Sequence, residues 1–131
     1  MNGDCCSRVR LELNGRALNI ATIERLGQAL DEADAHEVLE LIASVDDGPS
    51  MFMLRNRHAA WLMYLREPGD AGFHSSGEPG RVGAAEFTLG NGQVDEYPLT
   101  WCIAVEQCYK AIAYFCVNEG EKPGWIAWTE D

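Results

Sequence analysis

The side chains best suited to chemistry in this 131-residue chain are three histidines and five cysteines. His36, His58 and His74 stand in unrelated contexts, and the sequence has no C-x2-C or H-x3-H spacing of the kind that holds zinc. Folding could bring a cysteine beside a histidine as a nucleophile pair, but no local signature indicates one. We therefore expect no metal, no cofactor and no catalytic residue.

The cysteines also bear on the compartment. An odd number of cysteines without a paired framework favours a reducing compartment over a disulfide scaffold. Cys108 and Cys116 fit the core as small apolar side chains, whereas Cys5 and Cys6 fall in residues 1–7, which we expect to be frayed. Because that terminus lacks the basic and apolar regions of a signal peptide, we predict a cytoplasmic protein.

Known catalytic motifs are also missing from the sequence. The Gly-x-Gly at 90–92 reads as a hairpin turn and is not followed by a helix, unlike a phosphate-binding loop. The sequence contains no G-x-S-x-G, no H-E-x-x-H and no zinc-deaminase signature. Asp95 and Glu96 are adjacent, but neighbours in a strand point to opposite faces and would not act on one bond together. We predict that the protein is not an enzyme.

Charge is the dominant global property. Ten basic and 21 acidic residues give a net charge of −11, and residues 66–131 hold four of the basic and eleven of the acidic ones. Such an excess disfavours nucleic acid and anionic membranes as ligands, because both need cationic patches. It favours a cationic partner, whose encounter it would accelerate. The alternative at this point is that the acidity serves solubility only.

Periodicity predicts the elements of the N-terminal half. Alternating polar and apolar residues indicate a strand over 8–13, and Thr22 is a suitable N-cap for a helix over 22–33. The segments 36–45, 51–54 and 59–65 are separated by turn-forming residues and read as a three-stranded meander.

The C-terminal half begins with a long surface loop at 67–83, rich in glycine and proline. A hairpin over 85–97 follows, and then a helix over 105–116. The last predicted strand, 125–128, places Trp125 and Trp128 on one side. The prediction is one α+β domain spanning 1–131, with a single antiparallel sheet of about six or seven strands and two helices packed on one face.

The second half also carries an ordered series of segments, in which Trp61–Phe73 precedes Glu86-Phe87, Asn91–Pro98, the helix and Gly120–Trp128. This order resembles the first-numbered immunity-protein family of bacterial polymorphic toxin systems, over about residues 36–131. The resemblance implies a protein encoded beside a secreted toxin, which it neutralises inside the producing cell. The family's partners look to be mainly toxins with a nucleic-acid deaminase domain.

The implied mechanism agrees with the charge. A deaminase toxin binds a polyanion and should have a cationic active-site region, which an acidic protein could cover in a 1:1 complex. We predict no contact with nucleic acid or membrane. The alternatives are immunity to a nuclease toxin, a binder of an unrelated basic protein, and a small-molecule-binding or catalytic domain with a pocket between sheet and long loop. The candidate partner-binding residues combine charge with aromatic anchors: Glu67, Asp70, Phe73, Asp95, Glu96, Trp125, Trp128 and Glu130.

Overall fold

The computed structural model describes residues 5–131. In chain order these residues form β1 (Val9–Leu13), β2 (Arg16–Leu18), α1 (Ile23–Asp34), β3 (Leu39–Val45), β4 (Ser50–Arg55), β5 (Ala60–Leu65), β6 (Phe73–Ser75), β7 (Ala84–Thr88), β8 (Val94–Pro98), α2 (Val105–Val117) and β9 (Trp128–Glu130). None of the helices in this part of the chain is long and apolar enough to cross a membrane.

Seven strands form the main sheet, in the order β2-β1-β3-β4-β5-β6-β9, and every neighbouring pair is antiparallel. The α+β class and the seven-stranded antiparallel sheet are thus confirmed. The composition of the sheet differs from the prediction, because β7 and β8 pair only with each other. The main sheet contains β2 and β6 instead of the two hairpin strands. These two strands have three residues each, too few for periodicity to reveal them.

Both helices pack on one face of this sheet, as predicted. Thr22 caps α1 by accepting a hydrogen bond from the Arg25 backbone N–H at 3.1 Å. The helices bury Leu26 and Phe115, among others, against strand residues such as Leu41 in one continuous core. Alternation along the strands supplies the facing side chains, since every second residue of β1, β3 and β4 points to the helices.

The opposite face of the sheet is covered in part by the β7–β8 hairpin. Phe87 of β7 is 1% exposed and lies in a second core with Leu54 and Trp61, which point away from the helices. The protein therefore has three layers: helices, main sheet and hairpin. The sequence predicted the hairpin but placed it within the main sheet.

The two termini differ from the prediction. Residues 1–4 of the segment expected to fray lie outside the described residues, but Cys6 is buried and the Cys5 N–H donates to the Ala21 carbonyl at 3.0 Å. The sulfur atoms of Cys5 and Cys6 are in contact. A hydrogen-bonded backbone and a buried side chain hold these residues to the core.

The final strand lies three residues later than predicted. β9 pairs with β6, which itself interrupts the predicted loop at 67–83, and aligns Trp128 with Ser75. Trp125 precedes the strand and is 48% exposed, so the two tryptophans do not share a strand face. The Trp128 indole N–H donates to the Pro123 carbonyl at 2.9 Å, and this bond closes the turn before β9.

A glycine in the loop between β6 and β7 provides a test of this packing. The Gly77 N–H donates to the Thr100 carbonyl at 2.7 Å, and a Cβ on Gly77 would overlap the carbonyl oxygen of Cys102. Gly77→Ala should therefore lower the free energy of unfolding by about 1–3 kcal/mol, measured in urea. Gly80→Ala, in the same loop with open space around the added methyl group, is the control and should change it by less than about 0.5 kcal/mol.

Candidate partner-binding site

A cavity of about 280 Å³ opens on the hairpin side of the main sheet. We call it the aromatic cavity, because most of its lining is aromatic or apolar. It is lined by Glu40, Phe52, Leu54, Trp61, Met63, His74, Leu89, Tyr97, Trp101 and Asp131.

Elements distant in the sequence position the aromatic rings of this cavity. The face of β5 that points away from the helices supplies Trp61, β8 supplies Tyr97, and the short helical turn after β8 supplies Trp101. The Trp61 ring centroid lies 4.5 Å from that of Tyr97 and 5.1 Å from that of Trp101. His74 of β6 stacks on Trp101, with 4.0 Å between ring centroids. The rings hold one another in place before any ligand arrives.

The charged groups in the cavity lining are carboxylates. Glu40 Oε1 accepts a hydrogen bond from the Gly90 N–H at 3.0 Å, and Asp131 Oδ1 lies 2.7 Å from His74 Nδ1. No lysine or arginine is among the ten lining residues. Burial, followed by the charges of Asp95 and Glu40, raises the pKa of Tyr97, so the region disfavours additional negative charge.

The indole of Trp61 is a buried donor in this lining. Trp61 is 3% exposed, and its Nε1 has no hydrogen-bond partner among residues 5–131. Buried polar atoms without a partner are uncommon in folded proteins. Because Trp61 lines the cavity, its indole N–H signal can be used to follow binding there.

Asp95 and Glu96 lie on opposite faces of β8, as expected for neighbours in a strand. Asp95 is on the side of Tyr97, whose hydroxyl lies 3.4 Å from its Oδ2. Glu96 points outward and is directly opposite Glu86 of β7. Like charges directly opposite each other destabilise a hairpin, so the Glu86–Glu96 pair lowers the stability of the protein while it makes the outer face acidic.

Four other predicted residues converge at the β6–β9 end of the sheet: Asp70, Phe73, Trp128 and Glu130. Their carboxylates and rings are already in contact with basic side chains of the same chain. Arg66 pairs with Asp70 at 2.9 Å and with Glu130 at 3.1 Å. Lys122 Nζ lies 4.2 Å from the Phe73 ring centroid and 5.8 Å from that of Trp128. These contacts tie β9 to the sheet, whereas Glu67 and Trp125 remain exposed.

The Arg66–Asp70 pair makes stability depend on pH. The Arg66 guanidinium and backbone N–H hold the pKa of Asp70 well below its usual range. A lowered folded-state pKa contributes stability above the unfolded-state value of about 4, and this contribution is lost as the pH falls below it. Asp70→Asn should lower the melting temperature at pH 7 and have a progressively smaller effect below about pH 4. The exposed Glu67→Gln is the control, and an equal effect of Asp70→Asn at all pH values would contradict the assignment.

Sequence reasoning missed the residues that form the aromatic cavity. Glu40, His74, Tyr97 and Trp101 are not among the candidate partner-binding residues predicted from the sequence. One signal was present, because Glu40 is the only charged residue of β3. Nothing in the local sequence connects that carboxylate with a ring some sixty residues later.

The cysteines and remaining histidines form no evident reaction centre in the described part of the chain. His58 and Cys102 line a separate hollow of about 700 Å³, but burial raises the pKa of the Cys102 thiol, whereas a nucleophile needs a lowered one. Cys108 and Cys116 are fully buried, and burial raises the pKa of Cys116 to about 12. Among residues 5–131 no three His, Cys, Asp or Glu side chains are arranged to hold a metal ion.

No protein-family model matches the chain, and no curated protein matches it either. Fold and site define its class as a small α+β protein with an acidic, aromatic cavity beside a hairpin.

Proposed function

We propose that the protein is a cytoplasmic immunity protein that binds a bacterial toxin and blocks its cationic active-site region in a 1:1 complex. The toxin class we propose is a nucleic-acid deaminase. The observation that supports this most is the distribution of charge on the hairpin side. Residues 84–98 contain three carboxylates and no lysine or arginine, and the aromatic cavity beside them has carboxylates but no lysine or arginine in its lining.

This surface suits a protein that normally binds nucleic acid. Such a partner needs cations to neutralise phosphates, and carboxylates of an inhibitor can occupy the same positions. Exposed Glu86 and Glu96 would steer the encounter, because complementary potentials accelerate association. The aromatic rings next to the carboxylates supply apolar contact area of the kind found at interface hot spots. The inhibitor needs no catalytic group.

Co-expression tests the proposal directly. A toxin encoded by the gene beside this one should arrest growth when expressed alone, and growth should be restored when this protein is produced with it. A catalytically inactive toxin serves as the control for expression burden. Continued arrest, with both proteins present in soluble form, would refute the immunity function.

Salt dependence tests the electrostatic part of the proposal. Screening shortens the Debye length from about 10 Å at 0.1 M to about 3 Å at 1 M ionic strength. The association rate constant, followed by stopped-flow fluorescence, should therefore fall by about tenfold or more over this range. An association rate constant that does not change with salt would refute electrostatic steering, but it would not refute inhibition of the toxin.

A second candidate is a small-molecule-binding protein that uses the hollow beside the long loop. Its volume of about 700 Å³ is within the range of about 300–1,000 Å³ typical of ligand pockets, and its lining includes Glu78 and Arg81 of that loop. This candidate predicts a ligand that binds without any protein partner and raises the melting temperature. A nuclease toxin could bind the same acidic surface as a deaminase toxin. Assays of the toxin for strand cleavage and for base deamination would distinguish these two toxin classes.

A further inference from the structure

We propose that the aromatic cavity receives the guanidinium group of one arginine of the partner protein. The inference rests on the proposed immunity function and specifies what the partner must present. Arginine is the side chain whose charge and flat guanidinium best match the carboxylates and aromatic rings of this cavity.

The first argument is the arrangement of the lining across the sheet. Glu40 is on β3, Trp61 is on β5, and Asp131 directly follows β9. In the sheet order β3-β4-β5-β6-β9, these positions place a carboxylate at each side and aromatic rings between them. Four strand spacings, about 19 Å in all, separate β3 from β9, so a cation that enters over the rings pairs with one carboxylate and meets the field of the other only at long range.

The second argument is the chemistry of the walls. Trp61, Tyr97 and Trp101 have ring centroids within 6 Å of one another, so they form an extended aromatic surface. A cation within about 6 Å of such rings is attracted by their quadrupoles, most strongly by tryptophan. Arginine fits better than lysine, because its flat guanidinium stacks on rings and is less strongly hydrated than an ammonium group.

The third argument is that the carboxylates have acceptor capacity left. Glu40 uses Oε1 for the Gly90 N–H, and Asp131 uses Oδ1 for His74. The second oxygen of each has no assigned donor in the described part of the chain. Glu40 is the expected ion-pair partner, because Asp131 already faces the imidazole of His74 and no basic side chain faces Glu40 in the cavity.

A direct test uses N-acetyl-arginine amide as the probe and the four tryptophans as reporters. In ¹⁵N-labelled protein, the indole N–H signals of Trp61 and Trp101 should shift saturably during titration. The signals of Trp125 and Trp128, which do not line the cavity, should stay in place. N-acetyl-citrulline amide has the same shape without the charge and should cause no comparable shift. Equal shifts with citrulline, or none at Trp61 and Trp101, would overturn the proposal.

A matched pair of variants carries the test to the toxin complex. Glu40→Gln removes the charge but keeps the Oε1 acceptor for Gly90, whereas Glu37→Gln removes a charge from an exposed position just before β3. We expect Glu40→Gln to weaken toxin binding by about tenfold, the usual loss for one charged hydrogen bond, and Glu37→Gln to leave it unchanged. Replacing the contacting arginine of the toxin by glutamine should then cause a smaller loss in the Glu40→Gln background than in the wild type, because the ion pair is already absent and only the stacking on the rings is lost.

The outcomes separate this inference from the proposed function. If the wild-type protein protects cells while the two variants bind the toxin equally well, the arginine site is wrong and immunity stands. If the wild-type protein fails to protect, the immunity function and the toxin as occupant are both rejected. Arginine from a second copy of this chain would instead give a concentration-dependent dimer in analytical ultracentrifugation that Glu40→Gln abolishes, and this result would overturn the toxin as partner.

Discussion

Replacement of Glu96 by lysine is expected to stabilise the protein and, at the same time, to slow its association with the proposed toxin partner. Glu96 lies directly opposite Glu86 on the outer face of the hairpin, so the substitution turns a like-charge pair into an opposite-charge pair. The free energy of unfolding should rise by about 0.5–1 kcal/mol. The association rate constant should fall by about fivefold at low ionic strength, because the same change weakens the field that steers a cationic partner.

The double variant Glu86→Lys/Glu96→Lys separates these two effects. Two lysines restore a like-charge pair, so the gain in stability should disappear. The association rate should fall further, by about tenfold or more relative to the wild type. Glu119→Lys, at an exposed position two residues beyond the end of α2, makes the same change in net charge as the single Glu96→Lys substitution and is its control. A similar slowing in that control would show that net charge matters and that the hairpin face has no special role.

Truncation of Phe115 to alanine is expected to have the largest effect on stability. Phe115 is fully buried in α2, and its ring meets that of Tyr64 on β5 edge-on, with 6.1 Å between centroids. Removing a buried phenylalanine side chain costs about 3–5 kcal/mol through lost burial and the cavity left behind. Because domains of this kind are stable by only about 5–15 kcal/mol, the variant should unfold at markedly lower urea concentration.

Val117→Ala is the matched control for this substitution. Val117 lies two residues further along the same helix and is 49% exposed, so its truncation should change stability by less than about 0.5 kcal/mol. Equal effects of the two substitutions would contradict the packing of α2 on the sheet. At temperatures where Phe115→Ala remains folded, we expect normal association with the toxin, because the helices lie on the face of the sheet opposite the aromatic cavity.

The sequence alone determined most of the local structure. Alternation located β1, because burying one face of a strand requires an apolar residue at every second position. Turn-forming residues between apolar segments located β3, β4 and β5. Thr22 correctly marked the start of α1, because its hydroxyl satisfies a backbone donor that the helix leaves free. The hairpin was also found from its turn residues. The net charge of −11 is a property of composition, whereas the carboxylates of the cavity lining are brought together only by the fold.

Only the tertiary structure decided which of these elements meet. Local periodicity assigns a residue to a face of its own strand, but the neighbour of that strand depends on packing between distant segments. For this reason the hairpin was assigned to the main sheet, and the pairing of β6 with β9 was missed. The same limit explains the aromatic cavity, since Glu40, Trp61 and Asp131 come together only when five strands have taken their order and the hairpin has closed over them.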